Sequence, residues 1–359
     1  MIGVFVLTGV DFWYTMGKAF FYNNIMEQTN GRGAKLRTLM SKGVFALGVS
    51  SAMDAMIAKL AGHECLYLGG YAAAALRGRP DYGIIGGTEM LQAMMYVAEA
   101  TDLPAVADID DGYGSTHNVI RTVTDMLTKT NVAGIHIEDQ KYPKRCGHIA
   151  GKEVLPMEEF LGKLRAALDM RDRVDYSRVV IARTDAFSAA GAKKDPRVGG
   201  DIDEALRRGL AYARAGADSV WCEFPTPSRE SAKAFAEGMK ACMPTLGLSF
   251  NLSPSFFWPA EEHPMTLREL QSFGYTFVFS TYPSLLASMY AVYENAKEFR
   301  AKDPVEALIL LQSKIKGTPV ESAMKVLGVD RYQEAERAYS PSAAEKQRTS
   351  DGFKGEEKK

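Results

Sequence analysis

Residues 136–156 read HIEDQKYPKRCGHIAGKEVLP, and the passage from a short apolar run into a polar, glycine-flanked loop decides how the rest of the chain is read. Gly134-Ile135-His136-Ile137 is a β-branched strand that delivers Glu138 and Asp139 at its carboxyl end. The loop beyond it holds Lys144, Arg145, Cys146 and His148, with Gly147 and Gly151 loosening the backbone. A thiol between two cations and an imidazole is expected to have a lowered pKa, because neighbouring positive charge favours the thiolate. Loops that carry such groups at strand ends are where function concentrates. A solvated basic loop with an incidental cysteine is the alternative.

The same rhythm of apolar run, glycine- or acid-rich turn and amphipathic stretch repeats on both sides, from residue 34 onward. Strands are predicted at Val44–Gly48, Cys65–Leu68, Ala105–Asp108, Gly134–Glu138, Val179–Arg183, Ser219–Glu223, Leu246–Phe250 and Thr276–Ser280. Helices are predicted near 52–61, 88–100, 116–130, 157–171, 202–215, 229–241, 266–273 and 284–300. Ser115 or Thr116 is placed to cap the third, and Asp201 or Asp203 the fifth. Strands alternating with helices demand a parallel sheet with helical crossovers. Eight such units in this length match an α/β protein of the (β/α)₈, or TIM barrel, class. A doubly wound open sheet is the alternative, and the lack of a Gly-x-Gly-x-x-Gly turn after the first strand weighs against a dinucleotide fold.

A further helix is expected over 303–328, with Ala307, Leu308, Leu310 and Leu311 on an apolar face that must bury against something, such as a neighbouring subunit. The expected domains are an N-terminal extension at 1–33, the barrel with its C-terminal helices at 34–336, and a polar disordered tail at 337–359. The apolar leader MIGVFVLTGVDFWY has no basic n-region and no small-residue cleavage site. A start assigned too far upstream of Met26 is the expectation for it, and an extra amphipathic arm the alternative.

Composition narrows the function classes. Of the 359 residues, 46% are hydrophobic and 24% charged, as in ordinary globular chains. A net charge of −1 without a basic block argues against nucleic acid as a partner. No run of apolar residues is long enough to cross a bilayer. Cys65, Cys146, Cys222 and Cys242 are scattered without metal-pair spacing, which points to a reducing, cytoplasmic setting.

In a barrel, groups at the carboxyl ends of the strands converge on one mouth. Those ends carry Asp108, Asp110 and Asp111, then Glu138, then Arg183 and Asp185, then Glu223, then Asn251, Ser253 and Ser255. So many carboxylates repel one another unless a cation sits among them. A hard oxygen site for Mg²⁺ (or Mn²⁺), completed by water and substrate, is the natural reading, with Asp108, Asp110 and Glu138 converging on it. Turn formation before Gly112 is the alternative for Asp110 and Asp111. The fork of Arg183 suits a substrate carboxylate, or an ion pair with Glu223 or Asp185. Asn251, Ser253 and Ser255 alternate along one side of a pocket, unless they are caps and turn residues.

The chain resembles the isocitrate lyase and phosphoenolpyruvate mutase superfamily over roughly residues 34–300, through KRCGH with IEDQ before it and GKEVLP after. Supporting matches are YLGGY at 67–71, DIDDGYG at 108–114, ARTDA at 182–186, WCEF at 221–224 and NLSPSFFW at 251–258. The resemblance implies a Mg²⁺-dependent barrel with a catalytic cysteine on a mobile loop, in homotetramers that exchange a C-terminal helix between subunits. It also implies cleavage of isocitrate to glyoxylate and succinate in a retro-aldol sense. On the matching positions Asp108 is the main metal-binding acid, with Asp110 and Glu138 in the metal's outer environment. Tyr67 lies near the base that ionises the substrate hydroxyl, and Cys146, with His148, protonates the enediolate. Arg183, Asn251, Ser253 and Ser255 bind carboxylate, with Glu223 in support. Gly70 and Tyr71 belong to the glyoxylate-contacting turn, and Asp81, in RPDYG, is a pocket acid.

Three features depart from the family's lyases. Gly69-Gly70-Tyr71 stands where Ser-Gly followed by Trp or Gly is usual. The segment after Asp185 is short, as in 2-methylisocitrate lyases, whereas NLSPSFFW has the isocitrate lyase form. Cleavage of 2-methylisocitrate or another 2-hydroxy diacid is therefore the alternative activity. A catalytically silent barrel that binds dicarboxylates is the alternative from outside enzymology.

Overall fold

Strict alternation of side chains along each strand is what closes this chain on itself. The computed structural model describes residues 31–350 apart from 227 and 257–261. Its strands are β1 (Val44–Gly48), β2 (Leu66–Leu68), β3 (Ala105–Asp108), β4 (Gly134–Glu138), β5 (Val179–Thr184), β6 (Ser219–Cys222), β7 (Gly247–Asn251) and β8 (Tyr275–Ser280). They run in sequential order around a closed barrel, and β8 pairs in parallel with β1 from Val44↔Phe277 to Leu47↔Ser280. Closure of β1 onto both β2 and β8 excludes the open doubly wound sheet.

Inward positions Val44, Ala46, Tyr67, Val106, Val179, Ile181, Trp221, Phe277 and Phe279 form one buried cluster, the barrel's own filling. Outward positions such as Leu66, Leu68, Ile135, Ile137, Val180 and Val220 pack beneath the helices in a second. That two-layer burial is why both faces of every strand read as apolar.

Helices follow the strands: α1 (Arg32–Lys42), α2 (Ala52–Leu60), α3 (Gly70–Ala75), α4 (Gly87–Ala100), α5 (Thr116–Lys129), α6 (Met157–Asp175), α7 (Ile202–Arg214), α8 (Arg229–Cys242), α9 (Leu267–Phe273) and α10 (Pro283–Ala301). Ser115 is the N-cap of α5, and Asp201 caps α7 by accepting from the Glu204 amide. Two short elements are too brief to leave a periodic signal in the sequence: the alanine-rich α3 and a 3₁₀ turn at Ala186–Ser188.

Helix α1 belongs to the barrel, so its start at Arg32 moves the boundary expected at residue 33. Leu36 and Met40 plug the amino-terminal end of the lumen, and Arg32 donates to the carbonyls of Ala98 and Thr101.

The single helix expected over 303–328 is instead α11 (Pro304–Ile315) and the short α12 (Ala323–Val326). Pro319, which lacks an amide donor, sits in the break between them. Helices α13 (Val329–Tyr339) and α14 (Pro341–Thr349) then occupy most of the stretch expected to be a disordered tail. Residues 1–30 and 351–359, with the rest of the leader and tail expectations, lie outside the described residues. No helix among the described residues is long and apolar enough to cross a membrane.

At the amino-terminal end Asp218 ties three elements together. It accepts from Arg37 of α1 at 2.7 Å, Arg171 of α6 at 2.6 Å and the Val180 amide of β5 at 2.8 Å. Asp218→Ala strands two guanidiniums and a strand amide, so a loss of about 2–3 kcal/mol is expected once the partial exposure of Arg37 is discounted. Urea unfolding should show this loss while kcat per folded molecule stays unchanged, because the mouth is at the other end of the barrel.

Candidate active site

The carboxyl ends of the strands and the loops beyond them enclose one chamber. Its lining includes Tyr67, Tyr71, Asp81, Asp108, Glu138, Lys144, Cys146, His148, Arg183, Glu223, Asn251, Thr281 and Tyr282. Inward parity along the strands accounts for Asp108, Glu138, Arg183 and Asn251, each at or next to a strand's last residue. The floor is aromatic: Tyr67 stacks on Phe279 at 4.2 Å, and Trp221 meets His136 edge-on at 5.0 Å. Arg183 lies over Trp221, 4.3 Å from its ring centre.

One wall is built on β2, β3 and β4. The Tyr67 hydroxyl is 2.7 Å from His136 Nε2, which in turn lies 3.2 Å from Asp108 Oδ1. Asp108 Oδ2 accepts from the Gly70 amide at 2.8 Å, and Oδ1 from the Asp110 amide at 2.8 Å. Burial alone would raise the Asp108 carboxyl, but His136, Lys144 and the Gly70 amide outweigh it and hold it well below the usual carboxylate range. Asp110 goes the other way: burial, with Asp108 and Asp81 close by, pushes it up to about 7 against the pull of Lys144. Burial likewise raises Glu138, which Arg183 partly opposes across 3.2 Å. His136 is readable from the sequence only by parity, two residues before Glu138 on the same face. Asp111 turns away from the mouth and holds Lys163 of α6 at 3.0 Å, which fits the turn-former reading.

The opposite wall is the loop after β4. Cys146 Sγ is 3.7 Å from His148 Nδ1, and His148 Nε2 is 3.1 Å from Glu223 Oε1. Burial lowers the His148 pKa, and Arg183 and Lys152 push the same way against the pull of Glu223.

The low-pKa thiol expected for Cys146 is corrected by this geometry. Burial, then Asp81, with Glu223 adding to it, pushes the thiol up to about 11. Its two sequence neighbours spend their charge elsewhere. Lys144 Nζ sits 2.6 Å from both Asp81 Oδ1 and Asp110 Oδ1, and Arg145 Nη1 donates to the Ala150 carbonyl at 3.1 Å. A protonated thiol is a donor of protons, and it is a poor nucleophile.

Of the two readings offered for Arg183, the structure shows the ion pair. Its Nε and Nη2 hold Asp185 at 2.7 and 3.0 Å, with Glu138 rather than Glu223 as second partner, and it still lines the chamber. Asn251 lines the chamber with its buried Oδ1 unpartnered. Ser253 and Ser255 are not part of that lining: Ser253 is fully buried, and the exposed Ser255 has its hydroxyl 2.8 Å from that of Tyr282. Tyr282 stacks in turn on Tyr71 at 4.3 Å. Tyr282 and Thr281, just beyond β8, carry no signal in the sequence.

The mouth also bears on a hard cation. A Cβ on Gly70 would lie 3.2 Å from both Asp108 Oδ2 and Asp110 Oδ1 and 3.6 Å from Lys144 Nζ, so the glycine leaves a cradle in front of two carboxylates that the Lys144 ammonium shares. Glu138 Oε1 is buried without a partner. Among the described residues no three Asp, Glu, His or Cys side chains cluster as a metal cage. These residues fit an ion held by few protein oxygens and otherwise by water and substrate, the usual habit of Mg²⁺.

A closed barrel with a thiol acid, an arginine and a cradle of carboxylates at the ends of its strands defines a (β/α)₈ enzyme. The sequence profile described as phosphoenolpyruvate phosphomutase matches residues 36–300. The isocitrate lyase of Haloferax volcanii is 40% identical over 331 residues, 91% of this chain and 92% of that one. The 2-methylisocitrate lyase of Halalkalibacterium halodurans is 36% identical over 66% of this chain and 71% of its own length. Among solved structures, oxaloacetate acetylhydrolase with the inhibitor 3,3-difluorooxalacetate superposes with a TM-score of 0.70 at 27% identity, covering 86% of this chain and 96% of that one. The chain belongs to the phosphoenolpyruvate mutase/isocitrate lyase superfamily, and it is an enzyme of the carbon–carbon lyase class.

The protonation state of Cys146 has a direct readout. Cys65 and Cys222 are buried and Cys242 is exposed, so a Cys242→Ser background isolates Cys146. At neutral pH its alkylation by iodoacetamide should be about 10²-fold slower than that of an ordinary thiol, and it should climb with pH until pH 10 or beyond, since only the thiolate reacts. A rate that levels off near pH 7 would restore the low-pKa reading.

Proposed function

We propose that this enzyme cleaves isocitrate to glyoxylate and succinate by a retro-aldol reaction supported by Mg²⁺. The observation that carries the reading is one chamber lined by Cys146, Asp108 and Arg183, with the half-buried Cys146 thiol pushed up to about 11. The isocitrate lyase relative, similar over nearly its whole length, supports the choice of substrate.

In the proposed reaction the substrate's hydroxyl proton leaves, the C–C bond breaks, and its electron pair passes to the carbon beside a carboxylate. The hydroxyl proton leaves to a carboxylate of the Asp108 wall, and Tyr67, kept as the phenol by burial and the nearby Asp108, stands beside that step with its hydroxyl 2.7 Å from His136 Nε2. Arg183, with Asn251, grips a carboxylate as charge develops on it. Cys146 delivers a proton to the new carbanion, and His148, backed by Glu223, is in position to restore the thiol. Asp108 and Asp110, with Glu138 in the outer environment, would hold Mg²⁺, which would polarise the hydroxyl and orient the oxo-acid.

Charge favours such an ion. The chamber and its immediate backing hold six carboxyl groups, from Asp81, Asp108, Asp110, Glu138, Asp185 and Glu223. Four cations face them, from Lys144, Lys152, Arg145 and Arg183. A divalent cation would favour the ionised forms of Asp110 and Glu138, which burial otherwise pushes up. The second reading, 2-methylisocitrate, rests on the 2-methylisocitrate lyase relatives and on the short segment after Asp185.

The assembly is proposed to be a homotetramer in a cytoplasmic setting, and the absence of any disulfide among the four cysteines supports that setting. Helix α10 buries only Leu285, while Met289, Tyr290, Val292 and Tyr293 are exposed, as are Val305 and Ile309 of α11. An apolar face of this kind is proposed to pack against another copy. Sedimentation at micromolar concentration should give a homo-oligomer, and Tyr290→Glu with Tyr293→Glu should weaken it. A monomeric native enzyme would end that part of the proposal.

Steady-state assays should show a higher kcat/KM for isocitrate than for 2-methylisocitrate. Activity should vanish after exhaustive chelation and return with Mg²⁺ or Mn²⁺. For Cys146→Ser, kcat is expected to fall by roughly 10²–10⁴, the usual worth of general acid catalysis, with little change in substrate affinity. No turnover of either acid with Mg²⁺ present would favour the silent dicarboxylate-binding barrel.

A further inference from the structure

Lys152 plays no part in the chemistry above, yet it is only 2% exposed and lies on the Cys146 loop itself. Its ammonium donates to the Gly147 carbonyl at 2.7 Å and to Asp185 Oδ1 at 2.6 Å. Gly147 is the residue between Cys146 and His148. Asp185 is the carboxylate that orients Arg183, through contacts of 2.7 and 3.0 Å. A single buried cation therefore joins the peptide carrying the proton donor to the acid that aims the carboxylate-binding arginine.

The backbone at this point has no slack. A Cβ on Gly147 would lie 2.4 Å from Arg183 Nη2 and 2.7 Å from Glu223 Oε1, so the loop presses directly on both groups. The loop's base is a separate anchor: Gln140 and Val154 form an antiparallel bridge, and the Gln140 side chain holds the Arg145 amide and carbonyl at 3.0 and 2.9 Å. With the loop in this position the chamber has a volume of about 30 Å³. That is little free space for a tricarboxylate, and the loop that forms one wall is the element taken to lift for substrate and re-seat afterwards.

We propose that Lys152 is the positioning residue for Cys146, a latch whose contact from Asp185 to the Gly147 carbonyl re-forms at each closure and sets the thiol against the Arg183-bound substrate. It touches no reacting atom. The idea builds on the lyase reading only in naming what is positioned, since the latch itself is a property of the loop.

Lys152→Met in the Cys242→Ser background tests it in two ways. Without the latch the loop spends more time lifted and the thiol regains water. Ligand-free alkylation of Cys146 at neutral pH should then rise about 10-fold or more, since an exposed thiol returns toward its ordinary pKa. In turnover, kcat should drop about 10²-fold, the usual result of misplacing a reacting group by about an ångström. KM should move by less than about 3-fold, because Asp185 still holds Arg183. Lys152→Arg keeps the charge and both donations, and should recover most of the rate. If Lys152→Met does not fold, Lys152→Gln is judged by the same two readouts.

Unchanged alkylation and kcat in a folded variant, or a lowered melting temperature with both unchanged, would overturn the latch. The alkylation arm needs no substrate. An unaltered enzyme that cleaves no acid would count against the lyase reading, while the alkylation rates would still decide for or against the latch.

Discussion

Carboxyl groups crowded at one end of a barrel are tolerable only if cations reach into them, and here one loop supplies two of the cations required. Lys144 enters between Asp81 and Asp110, and Lys152 reaches Asp185 on the other flank. All of these groups are at least nine-tenths buried. Removing either partner of such a pair leaves a charge in low dielectric, at a cost of several kcal/mol. The loop's seat is thus dictated by charge more than by apolar packing. Its two lysines flank the Cys146–His148 segment, so the residues that neutralise the mouth also carry the thiol into it.

This origin of the loop's position explains the state of the thiol. The lysine and arginine beside Cys146 in the chain are drawn off by Asp81, Asp110 and the Ala150 carbonyl. What the thiol meets instead is burial and the carboxylates of Asp81 and Glu223. Nearness in sequence and nearness in field differ here, and their difference turns a thiol expected to have a low pKa into one that holds its proton.

The barrel itself was legible because it rests on local rules. Strands β1, β3 and β4 fall on the residues that alternation and glycine punctuation mark out, and the other five shift by no more than a residue at either end. Strand-end parity likewise marked Asp108, Glu138, Arg183 and Asn251, all of which line the chamber. What stayed hidden depends on pairing across the fold. The partner of Lys144 is 63 residues away and that of Lys152 is 33, and neither lysine differs locally from a solvated one. Ser255 fits a carboxylate-binding pattern, yet its hydroxyl lies against Tyr282, 27 residues on, a contact no spacing rule encodes. The helices from α11 onward were blurred for a different reason: among the described residues their apolar side chains, such as Val305, Ile309 and Leu327, stay exposed, so burial does not sharpen their ends.

Two walls with opposite proton habits follow from this arrangement, and the proposed reaction needs both. A retro-aldol cleavage releases a proton at the hydroxyl and consumes one at the carbon left behind, on atoms too far apart for one group to serve. Tyr67, His136 and Asp108 stand on β2, β4 and β3, whereas Cys146, His148 and Glu223 stand on the loop and just past β6. In the proposed reaction Arg183, spread over the Trp221 ring, would fix where the substrate's carboxylate lies and so which carbon faces which wall. After each cleavage the first wall has gained a proton and the second has lost one. With about 30 Å³ inside, the seated loop leaves little water to carry a proton across, so in the proposed reaction resetting the pair would wait on the same lifting that releases the products. Opening the loop thus serves exchange of protons as well as exchange of substrate, and the salt bridges that seat it bear on both.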